Sequence, residues 1–176
     1  AMALLQYTSA LLLDLRDNTG GAPSGVVFLC SYFVGPEPVH LNDVYRRASQ
    51  TTQQFWSYAH LPGPRYLDRP VFVLTGPRTF SGGEEIAYNL QQLRRATLIG
   101  ETTRGGAHPV EPFWLDPHVS IRVPVERSVN PISGTNWEGV GVVPDVTVPA
   151  ERAYDEAYGL ALRAVLDKLA DDPVHH

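Results

Sequence analysis

Ser81 stands in Thr79-Phe80-Ser81-Gly82-Gly83-Glu84, which Gly76-Pro77-Arg78 joins to the apolar run Val71-Phe72-Val73-Leu74-Thr75. A serine hydroxyl at a strand-to-helix junction gains twice as a nucleophile. The unpaired N–H groups of the helix terminus face developing negative charge, and the N–H of Gly82 is placed to donate to an oxyanion formed when Ser81 attacks a carbonyl. The same letters also spell a capping box, in which Ser81 caps the helix and Glu84 reaches back. Taken alone, the motif supports both readings.

Asp14-Leu15-Arg16-Asp17-Asn18-Thr19-Gly20-Gly21 repeats that layout: a short apolar strand runs into a polar, glycine-rich turn before a helix. Such turns bind anions. No Gly-Lys-Ser/Thr follows and the spacing is not Gly-x-Gly-x-x-Gly, so nucleotide binding is a poor fit, whereas Gly20 or Gly21 would serve as a second oxyanion donor. His108, in Gly105-Gly106-Ala107-His108-Pro109, and Glu138, beside Trp137, are the candidates to complete a Ser-His-acid relay. Each also reads as an ordinary loop residue. His40, His60 and His118 form no pair with metal-ligand spacing, and neither a metal nor a cofactor is expected.

The elements that must carry these residues follow from the apolar pattern. Ser9 to Leu15 is a buried strand, Pro23 to Val34 a helix opened by proline, and 40–58 a strand pair or excursion closed by Leu61-Pro62-Gly63-Pro64. Residues 71–100 make a strand-helix-strand unit of the length a parallel crossover needs. Val110 to Val129 alternates as a half-exposed strand does, and a closing helix near 151–170 is expected to bury Ala157, Leu160, Leu162, Val165 and Leu169. The class is α/β.

The 176 residues fit one domain, and the net charge of −5 without a basic stripe gives no footprint for nucleic acid or an anionic membrane. No apolar run reaches the ~20 residues of a spanning helix. Cys30 is the single cysteine, which excludes an internal disulfide. Thirteen of the 14 basic residues are arginine, so Lys168 is the one lysine open to catalysis. His175-His176 reads as the stub of a purification tag.

Four motifs then agree in order: Asp14 to Gly21, Thr79 to Glu84, Gly100-Glu101-Thr102-Thr103-Arg104-Gly105-Gly106, and Gly141-Val142-Val143-Pro144-Asp145. Together they resemble the tail-specific, or C-terminal processing, peptidases. The likeness is greater to the branch that includes bacterial homologues of interphotoreceptor retinoid-binding protein, which the stretch from Cys30 to Trp56 also resembles. The resemblance implies a crotonase-like (ClpP-like) core with parallel strand-helix-strand units and Ser81 as nucleophile. It implies an oxyanion hole from Gly82 with Gly20 or Gly21, and a peptide or protein substrate. The lysine of the Ser-Lys members aligns with Gly106, so that dyad is absent here. A Ser-His-Glu subgroup, which includes the tricorn core protease, places its glutamate where Glu138 stands and takes its histidine from sequence further N-terminal. On that likeness residues 1–176 are the catalytic core of a longer protein whose N-terminal helical domain is missing, with His108 as the fallback base. The resemblance points to a secreted or cell-envelope setting, and exposure of surface normally covered by that domain is expected to favour self-association. The retinoid-binding branch supplies a rival expectation, a carrier holding a retinoid or fatty acid in an apolar cleft of a peptidase-like fold.

Overall fold

The computed structural model describes residues 1–170; the His175-His176 pair lies outside them. A short helix α1 (Met2–Leu5) leads into β1 (Leu11–Asp14) and α2 (Pro23–Ser31). An antiparallel pair, β2 (His40–Arg46) and β3 (Thr51–Trp56), precedes β4 (Val71–Thr75), α3 (Gly82–Gln92) and β5 (Thr97–Gly100). After β6 (Val110–Trp114), β7 (Ser120–Pro124) and β8 (Glu126–Val129), the two-residue β9 (Val146–Thr147) and a 3-10 turn lead into α4 (Ala153–Ala170).

Four strands form a parallel sheet in the order β1-β4-β5-β9, with Leu13 opposite Val73 and Val73 opposite Leu98. This is the mixed α/β class with parallel strand-helix-strand units that the sequence indicates. β4 is buried at all five positions because it is an inner strand covered on both faces, which is why it reads as an unbroken apolar run. Its residues alternate between two cores. Val71 and Val73 join Leu15, Val26, Cys30, Phe33, Leu90, Leu98 and Trp137 under α2 and α3, whereas Phe72 and Leu74 meet Ile99, Ala153, Ala157 and Ala161 of α4.

Two expectations are corrected. The alternating stretch 110–129 is three strands: β6 and β7 pair as a separate hairpin, and β8 joins β2 and β3 in an antiparallel sheet. In α4 the small residues Ala153, Ala157 and Ala161 face the sheet, while Leu162 and Leu169 remain about half exposed. Alanines at four-residue spacing let the helix lie close to the strands, and this rotates the larger leucines outward. Among the described residues no helix is long and apolar enough to cross a membrane.

Candidate active site

Ser81 joins β4 to α3 with φ 52° and ψ −120°. An ordinary N-cap residue has extended backbone angles, and a left-handed φ at a serine is strained. A strained strand-to-helix turn of this kind lifts a hydroxyl clear of its own backbone. Ser81 is accordingly part-exposed, whereas Gly82 to Ala87 behind it are buried.

The reach-back half of the capping box is formed: the Ser81 N–H donates to Glu84 Oε2 at 2.8 Å. That bond is one of four. Glu84 is completely buried, and its carboxylate also accepts the Thr103 hydroxyl at 2.5 Å, the Gly105 N–H at 2.6 Å and the Gly106 N–H at 2.9 Å. In the sequence Glu84 reads only as a capping residue. The missing signal was three-dimensional, since nothing in the local spacing tells that residues 103–106 return to it.

The first glycine turn packs against the elbow at backbone contact. The Phe80 N–H donates to the Asn18 carbonyl at 3.0 Å, and a Cβ placed on Gly20, whose φ is 109°, would lie 2.8 Å from the Ser81 Cβ. The two expected donors in this turn differ. The Gly20 N–H is taken by Asn18 Oδ1 at 2.9 Å, whereas the Gly21 N–H has no protein partner among the described residues. Gly82, as the first residue of α3, has no intrahelical partner for its N–H. Upstream, Asp14 grips Arg16 through paired contacts at 2.9 and 2.6 Å, and the hydrogen bonds from Arg16 hold the Asp14 carboxyl below its usual range.

Glu138 and His108 are brought together. Glu138 Oε2 accepts the N–H groups of Ala107 at 2.6 Å and His108 at 2.9 Å, and it lies 3.9 Å from His108 Nδ1, beyond hydrogen-bond reach. Trp137 Nε1 donates to the Gly106 carbonyl at 3.1 Å, and the Gly139 N–H donates to Gly105. The 136–141 turn is thus stitched to the 103–108 loop, and that loop is tied through Glu84 to Ser81. Lys168 is an exposed residue of α4 whose Nζ bonds the Asp68 carbonyl.

Beneath the site, Glu85 is almost fully buried, and burial pushes its carboxyl up to about 7 against the opposing hydrogen bond from Asn42 at 3.2 Å. Burial and the nearby Glu85 carboxylate together push the Cys30 thiol well above its usual range.

The profile of peptidase family S41 matches residues 1–148. The chain belongs to peptidase family S41. Among its S41 relatives, a carboxyl-terminal-processing protease of Picosynechococcus sp. is 30% identical over 171 residues, covering 95% of this chain and 39% of the relative. A carboxyl-terminal-processing protease of Synechocystis sp. is 29% identical over 167 residues, covering 88% of this chain and 37% of the relative. The chain therefore spans about two fifths of the length of these S41 proteases. Among solved structures, the photosystem II D1 C-terminal processing protease superposes with a TM-score of 0.67 at 26% identity, over 83% of this chain and 36% of that one. Mature CPAF, at 16% identity and a TM-score of 0.70, shares the fold over 92% of this chain and 44% of its own. The carrier alternative gains no support from these relatives.

Proposed function

We propose that the chain is the catalytic core of a serine endopeptidase of the tail-specific type. Ser81 Oγ attacks the scissile carbonyl carbon and yields its proton to a base. The base passes that proton to the leaving amine, and water then hydrolyses the ester on Ser81. The observation that carries this reading is the strained elbow at Ser81, set against the Gly20–Gly21 turn with the N–H groups of Gly82 and Gly21 uncommitted. These two groups are the oxyanion donors in this reading, and Gly20 gives way to Gly21 because Asn18 occupies its N–H.

Glu138 orients the base. One of its oxygens orders the Ala107–His108 backbone, which leaves Oε1 for a histidine. That histidine comes from a segment of a longer protein in which this chain is the core, with His108 as the fallback. The substrate is a peptide or protein. Because a serine without a base is a weak nucleophile, the isolated chain is slow. Exposed Tyr154, Tyr158, Leu162, Leu166 and Leu169 along α4 favour association with a second copy at high concentration. A clean monomer in light scattering at that concentration rejects this last point.

Incubation of this chain and of an N-terminally extended form with a fluorophosphonate probe, read by intact mass, tests the reading. One adduct on the extended form, lost in Ser81→Ala, is expected. An extended form left unlabelled, with saturable binding of retinol or a fatty acid, would make the protein a carrier.

A further inference from the structure

The antiparallel sheet sorts its charges by face. Side chains alternate along a strand, so β2 and β8 send the register partners Arg46 and Glu126 to one side and the partners Tyr45 and Arg127 to the other. On the first side Arg46 is committed to both Glu126 and Glu111, at 2.8 and 2.9 Å. On the second side Asp43 is committed to His40 Nε2 at 2.9 Å, and the Arg127 guanidinium carbon stands 6.0 Å from the centroid of the Tyr45 ring. Neither Arg127 nor its neighbour Arg47 has a carboxylate partner among the described residues.

A cavity of about 320 Å³ opens beside these two arginines. Tyr45, Pro124 and Val125 give it apolar walls, and Arg47, Arg127 and His108 give it polar ones. Glu126 also borders it, but its carboxylate is held by Arg46. The cavity is close to Ser81 along the chain. The N–H groups of Ser81 and Gly106 share Glu84 Oε2, and His108 follows two residues later, so this wall lies within about 15 Å of the Ser81 nitrogen, the span of about four to five extended residues.

We infer that this cavity is a substrate subsite for a carboxylate: Arg47 and Arg127 receive a negative group carried a few residues from the scissile bond, while Tyr45, Pro124 and Val125 line its apolar stem. A guanidinium presents a planar fork of donors that matches a carboxylate, and an aromatic face beneath it limits the orientations it must give up on binding. In a peptide substrate this group is an aspartate or glutamate side chain, or the chain end. The inference rests on Ser81 marking the reaction centre.

Peptide binding to the Ser81→Ala chain tests the subsite apart from any chemistry. In NMR titrations at neutral pH and low salt, acetyl-Ala-Ala-Glu-Ala-amide should bind about threefold or more tightly than its Gln counterpart, and the gain should shrink as salt is raised. It should vanish in Arg47→Gln/Arg127→Gln and survive in part in Arg47→Lys/Arg127→Lys. Both arginines are exposed, so neither variant should move the thermal midpoint. A third peptide, the Gln sequence with a free C-terminal carboxylate, separates the sources: a gain with it alone assigns the subsite to a chain end, and a gain with the glutamate peptide alone assigns it to an internal acidic residue. Equal affinities for all three, or a preference that survives the Gln variant, overturn the inference. In the N-terminally extended form, a saturating amount of the preferred peptide should slow fluorophosphonate labelling at Ser81. Undiminished labelling puts the cavity outside the reaction site and overturns its role as a subsite. If the extended form takes no label while the charge preference holds, the nucleophile assignment has failed and the carboxylate site stands.

Discussion

The carboxylate of Glu84 accepts the backbone N–H of Ser81 at 2.8 Å while wholly buried, so the conformation of Ser81 depends on a group that solvent does not reach. Three further donors, from Thr103, Gly105 and Gly106, complete its coordination. Glu84→Ala leaves four polar groups without their acceptor, and Glu84→Gln turns a donor toward N–H groups. Either change should cost roughly 3 kcal/mol or more in urea unfolding. A loss below about 1 kcal/mol would show that water replaces the carboxylate and that the hub is not structural.

Gly20 and Gly21 are adjacent in the chain and opposite in tolerance. Alanine at 20 meets Ser81 at 2.8 Å in a left-handed conformation, whereas a Cβ at 21 has nothing within 4 Å. Gly20→Ala should destabilise by about 2 kcal/mol and abolish probe labelling of the N-terminally extended form, while Gly21→Ala should stay within about 0.5 kcal/mol of the parent. Equal effects in differential scanning calorimetry would contradict the packing of the turn against the elbow.

The strain at Ser81 has a measurable sign. Glycine adopts φ 52°, ψ −120° without the Cβ penalty, so Ser81→Gly should stabilise the fold by about 1 kcal/mol while removing the hydroxyl. Chemical denaturation of the two proteins side by side checks this. A less stable glycine variant would mean that the serine side chain contributes more than its backbone costs.

Burial holds the Glu85 carboxyl at about 7 in the folded chain against an ordinary value of 4.5. Between those values the folded state binds more protons than the unfolded one, so stability falls as pH rises through this window. The loss by pH 8 is about 3 kcal/mol, the equivalent of that difference in pKa. Glu85→Gln keeps the hydrogen-bonding shape without the charge, and should flatten the dependence and be the more stable protein at pH 8. A parallel pH profile for the two proteins would remove Glu85 as its origin.

Much of the core was legible along the chain because β4 and its crossover announce themselves. Val71 to Thr75 is an uninterrupted apolar run, and Ser-x-x-Glu marks the start of α3. What escaped was information held by packing. The outward turn of Leu162 and Leu169 follows from the alanines that bring α4 close to the sheet. The split of 110–129 between a hairpin and a second sheet depends on pairing partners far away in sequence, with Asp43 opposite Val129. Within the site, the motifs pick out Ser81, the glycine turns, His108 and Glu138, and the structure sets the last two 3.9 Å apart. The motifs give no hint that Asn18 would claim the Gly20 N–H, or that the ring of Phe80 would lie over Gly106.

Three of the four donors to Glu84 come from beyond β5, and so later in the chain than Ser81. Until that later stretch docks, Glu84 lacks three of its four donors, so the carboxylate that accepts the Ser81 N–H reaches its full set of partners only when residues 103–106 fold back onto α3.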